Sequence, residues 1–67
     1  MSNADNMFYS LGYEKDENFK VGYYCCKGSY NTIDFYYEEK TISLNGDFNM
    51  QELKAINEKV KELGWYD

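Results

Sequence analysis

The chain has 67 residues, with twelve Asp plus Glu against seven basic residues, all of them lysine, for a net charge of −5. Thirteen residues are Tyr, Phe or Trp, while His, Arg and Pro are absent. A chain this short is one domain that buries only roughly 60% of its unfolded surface; it lacks the clustered cations that displace counterions from nucleic acid and the usual general base of enzymes.

Residues 1–6 carry neither the basic nor the apolar region of a signal peptide. Ser2-Asn3-Ala4 looks like the scar of tag removal, so 1–6 is expected to be a disordered tail or tag remnant ahead of a single domain, 7–67. Alternating polar and apolar residues then predict strands. Met7 to Tyr13 reads as the first, followed by a charged turn, Glu14 to Asn18. Phe19 to Cys26 reads as the second strand, Lys27-Gly28-Ser29 as a turn, Tyr30 to Tyr37 as the third strand, and Thr41 to Leu44 as a short fourth after the turn Glu38-Glu39-Lys40. Short connections favour an antiparallel meander.

The period then changes to 3.6 residues, with Leu53, Ile56, Val60 and Leu63 in one apolar stripe. Asn49 and Glu52 have the spacing of a capping box, Phe48 and Leu53 that of a hydrophobic staple. Gly64 fits the left-handed position that would return Trp65 to Val60. The expected fold class is therefore α+β: a two-layer ββββα domain in which an antiparallel four-stranded meander carries one C-terminal helix, about Asn49 to Leu63, on one face.

On this reading Val21, Tyr23, Ile33, Phe35, Tyr37, Ile42 and Leu44 face the helix. Phe8, Tyr24, Cys26 and Tyr36 are left on the outer face as an aromatic patch, near the largest that monomers expose, and are the candidate interaction residues. Adjacent residues of a strand point to opposite faces, so Cys25 and Cys26 are expected as separate reduced thiols rather than a disulfide or a metal site.

Glu38-Glu39 sits in a solvated turn. The run Asn45-Gly46-Asp47-Phe48-Asn49 starts like a calcium loop but has Met50 at its sixth position and Ile56 at its twelfth, where Gly and Glu are required. No catalytic, cofactor or metal residues are assigned. No apolar run reaches the roughly 18 residues of a membrane span, and a cytoplasmic location follows.

The segment Thr41-Ile42-Ser43-Leu44-Asn45-Gly46-Asp47-Phe48-Asn49-Met50-Gln51-Glu52-Leu53-Lys54-Ala55-Ile56, with the helix to Leu63, resembles the strand, Asn-Gly turn and capped-helix ending of small phage and prophage proteins of low-GC Gram-positive bacteria. The resemblance implies a binding role, as an inhibitor or accessory factor, and no catalytic residue. The expected function is a non-enzymatic protein-interaction module working through an acidic, aromatic surface. The expected partners are a second copy in a homodimer or a host protein with a basic surface. A homo-oligomeric structural protein and a small-ligand binder remain alternatives.

Overall fold

A computed structural model describes residues 2–18, 20–26 and 28–66, and of Tyr23 the backbone alone. Six elements follow in chain order: helix α1 (Asn3–Ser10), strands β1 (Tyr13–Glu17), β2 (Val21–Cys26), β3 (Thr32–Tyr36) and β4 (Thr41–Asn45), and helix α2 (Met50–Glu62). The strands form one antiparallel sheet in the order β1-β2-β3-β4, with both helices on one face. The expected α+β meander with its C-terminal helix is therefore the fold, enlarged by an additional helix. Phe19 and Lys27, expected at the start of the second strand and in the turn after it, lie outside the described residues, as does the Tyr23 side chain.

The N-terminal expectations need correction. Asn3–Ser10 is helical rather than tail and strand: the Ser2 hydroxyl caps it by accepting from the Asp5 N–H at 3.0 Å. Ala4, Asp5 and Phe8 are buried on its inner face. The first strand instead runs through the charged segment read as a turn. Only Tyr13 of β1 is buried, so the segment offers no apolar alternation to detect.

β2 also faces the other way. Tyr24 stands opposite Lys15 on β1 and Ile33 on β3, and Gly22 opposite Glu17 and Phe35, which puts Gly22, Tyr24 and Cys26 beneath the helices. Val21 and Cys25 point to the helix-free face. On β3 the expected phase is right: Ile33 and Phe35 are fully buried. Ile42 packs against the core, whereas Leu44, expected to be covered, is 46% exposed.

Helix α2 has the expected ends. Asn49 accepts from the Glu52 N–H at 3.0 Å, and Glu52 returns the bond at 2.9 Å. Gly64 adopts φ 73°, and the Trp65 N–H reaches the Val60 carbonyl at 3.2 Å, closing the last turn. The buried stripe, however, is Glu52, Ala55, Ile56 and Lys59. The helix is rolled toward α1, which covers its 55/59 flank, and Leu53 is left 42% exposed.

The core is largely aromatic. Phe8 stacks on Tyr24 at 4.2 Å, meets Tyr13 edge-on at 5.6 Å, and Phe35 links Tyr24 to Trp65 at 5.7 and 6.2 Å. Such pairs add about 0.5–1.5 kcal/mol each beyond area burial.

Candidate functional site

The four candidate interaction residues do not share a surface. Phe8 and Tyr24 are fully buried in the core, and Cys26 packs against it with its thiol 3.9 Å from the Leu11 carbonyl. Tyr36 alone lies on the helix-free face, half-buried. The outer aromatic patch was an artefact of the wrong phase for β2: both phases of that strand carry rings, and Gly22 disguises the inner one as polar.

Beneath the helices lies a polar cluster that the sequence reading missed. The Asp5 carboxylate accepts from the Tyr24 hydroxyl at 2.6 Å and from Lys15 Nζ at 3.1 Å, with Lys59 Nζ at 3.8 Å. Lys59 also lies 5.9 Å from the Tyr24 ring centroid. Lys15 pairs a second time with Glu17 at 3.4 Å, and Glu17 accepts from the Tyr37 hydroxyl. Burial pushes the Asp5 carboxyl up, but the bonds from Tyr24 and Lys15 and the two ammonium charges outweigh it and hold the group below its usual value. At Glu17 the Tyr37 bond dominates, again downward. Burial, then the Asp5 bond, drives the Tyr24 phenol well above its ordinary range.

A second cluster ties the helix cap to the sheet. Glu52 accepts from the Tyr13 hydroxyl and from Asn31 Nδ2 at 2.9 Å, and Asn31 Nδ2 also donates to the Asp47 carbonyl at 2.7 Å. Burial and the Glu52 bond raise the Tyr13 phenol to about 12. Among the described residues no buried side-chain nitrogen or oxygen lacks a partner. Both clusters therefore spend their groups on one another, clipping α1 and α2 to the sheet.

Two surfaces remain open. On the helix-free face the register sets Glu14 and Asp16 of β1 beside β2, with Thr32, Asp34 and Tyr36 of β3 beyond. Burial alone pushes the Asp34 carboxyl up. Among the described residues no lysine occupies a strand position of this face: Lys15 lies under the helices, Lys54, Lys59 and Lys61 are on α2, and Lys20 and Lys40 are in turns. The second surface is the flank of α2 turned away from α1, toward β4. Met50, Leu53, Lys54, Ile56, Asn57 and Val60 line an open groove of about 420 Å³ there, with Met50 67% exposed.

No protein-family model matches the chain, and no curated protein or solved structure is significantly similar to it. Among the described residues no helix is long and apolar enough to cross a membrane, and no group of His, Cys, Asp or Glu is arranged to hold a metal ion.

Proposed function

We propose that this chain is a non-enzymatic protein-interaction module whose helix-free sheet face docks on a basic surface of another protein. The observation that carries the reading is the segregation of charge. Asp16 and Asp34 share a face that no helix covers and that, among the described residues, has no lysine at its strand positions. An overall charge of −5 adds a long-range attraction toward cationic partners, and complementary charge speeds and orients encounter. The half-buried Tyr36 supplies the amphipathic ring favoured at such contacts.

The resemblance of the strand–turn–helix ending to phage and prophage proteins supports an inhibitor or accessory role against a host protein. A surface that normally holds nucleic acid would be the natural target of an acidic face. The two free thiols suit a reducing, cytoplasmic location.

The test is capture of partners from host extract by the immobilised chain, followed by a salt step. Raising salt from 0.1 M to 1 M shortens the Debye length from about 10 Å to about 3 Å. The expected partner is a basic protein released by that step and lost with Asp16→Lys/Asp34→Lys, but retained by Lys54→Glu on the opposite layer. Binding that survives both the salt step and the charge reversal refutes the reading.

A further inference from the structure

The sheet has two open edges of opposite character. On β1, Glu14, Lys15, Asp16 and Glu17 make four charged residues in five, the usual protection against edge pairing. Strand β4, Thr41-Ile42-Ser43-Leu44-Asn45, has no charge and no proline. As an edge strand, β4 has no strand partner on its outer side among the described residues, and α2 with its apolar flank lies on the same face of the sheet as Leu44. Leu44 is 46% exposed on the helix side of that strand, and Met50 and Leu53 are 67% and 42% exposed on the neighbouring helix flank.

We infer that the partner seated on this flank is a second copy of the chain, joined β4 to β4 about a two-fold axis through Ser43. The geometry closes on itself. Antiparallel pairing about Ser43 sets Thr41 opposite the second copy's Asn45, and Ile42 opposite the second copy's Leu44. Directly opposed side chains of this kind lie about 4.5–5.5 Å apart. The two sheets become one eight-stranded sheet, and both α2 helices fall on the same side of it. Their grooves, walled by Met50 and Leu53, then lie on the same side of the seam as the exposed Leu44 of each copy.

Charge selects this edge over the alternatives. Each copy carries −5, so copies repel except where the contact strip is neutral. β4 is such a strip, whereas contact through β1 or through the helix-free face opposes carboxylates to carboxylates. Small domains also gain stability by association. A standard interface covers roughly 800 Å² per partner, under a fifth of the 4468 Å² that the chain exposes.

Sedimentation equilibrium from micromolar to millimolar protein tests the inference. A species of twice the 8.0 kDa chain mass is expected, with exchange of the β4 amides slowing as it forms. Leu44→Lys and Leu53→Glu alter residues that are exposed in the monomer, and each should weaken association at least tenfold with an unchanged circular dichroism spectrum. If Leu44→Lys fails to fold, Leu53→Glu still decides. Asp34→Lys, on the other face, should leave the dimer intact. A chain that stays monomeric at 1 mM, a dimer that survives both leucine substitutions, or one that Asp34→Lys dissociates overturns the inference.

Discussion

Asp5 shows how one side chain joins three elements. Its carboxylate, 6% exposed, holds Tyr24 of β2, Lys15 of β1 and Lys59 of α2 to α1. Breaking a buried ion pair by removing one partner costs about 3–5 kcal/mol, because the other charge is left uncompensated. A chain of this size has only ~3–10 kcal/mol in total, at roughly 0.05–0.15 kcal/mol per residue. Asp5→Ala should therefore leave the protein unfolded or barely folded in urea titrations. Asp5→Leu/Lys59→Met, which removes both charges of this pair, should be more stable than either single variant. The same groups set the pH dependence. Asp5, Glu17 and Glu52 have folded values below their ordinary ones, so their stabilisation is complete above about pH 4.5 and is lost as pH falls through the depressed values. Tyr13, Tyr24 and Tyr37 have raised values, so theirs is complete below pH 10 and is lost as pH rises, first through Tyr13 at about 12. Urea midpoints should be level from about pH 5 to 9 and fall on both sides. Phenolate absorbance should show these three tyrosines ionising together with unfolding in alkali.

At the scale of elements, α1 depends on its packing. A helix of eight residues is too short to stand alone in water, so Phe8, fully buried against Tyr24, is its anchor. Phe8→Ala should cost about 3–5 kcal/mol, whereas an exposed Phe8 would lose less than about 0.5 kcal/mol; thermal or urea unfolding separates the two. Gly22→Ala is a different kind of probe: the added Cβ would strike the Tyr37 hydroxyl and lie 3.0 Å from its Cζ. The ring must move off Glu17, at an expected cost of about 1–3 kcal/mol. These two positions also mark where the sequence misleads. Helix α2 and the phase of β3 were legible because caps and a single apolar phase each gave one answer. α1 was not, although Ser2 as cap and Ala4, Phe8 and Leu11 at i, i+4, i+7 were present, since the scar-like Ser2-Asn3-Ala4 made a tail of 1–6 and the residues from Met7 to Tyr13 also fit a strand. β1 hid because its inward positions after Tyr13 are Lys15 and Glu17, which are held by ion pairs rather than by apolar burial. The polar clusters, and with them the true outer face, depend on contacts between residues far apart in sequence, such as Asp5 with Lys59, which no local pattern reveals.

For the whole molecule, the three exposed regions divide the work: a charged edge that stays solitary, a neutral edge suited to a second copy, and an acidic face left open in either state. The docking of the first helix on the last bears on how the chain is threaded. The Asp5–Lys59 pair holds the first helix to the last, and the Glu62 carboxylate accepts from the Ala4 N–H at 2.9 Å, across 58 positions of sequence. The path from Ala4 to Glu62 is thus almost a closed ring. A short glycine linker should join its ends, and new ends cut at the exposed Ser29–Tyr30 turn should be tolerated. The rearranged chain should fold to the same structure. It should refold more slowly in stopped-flow mixing, because the cut turns the β2–β3 hairpin from one of the shortest-range contacts into one of the longest. Circularising the backbone without a cut would keep α1 within reach of its seat on every opening, so proteolysis near the N-terminus should slow together with global unfolding.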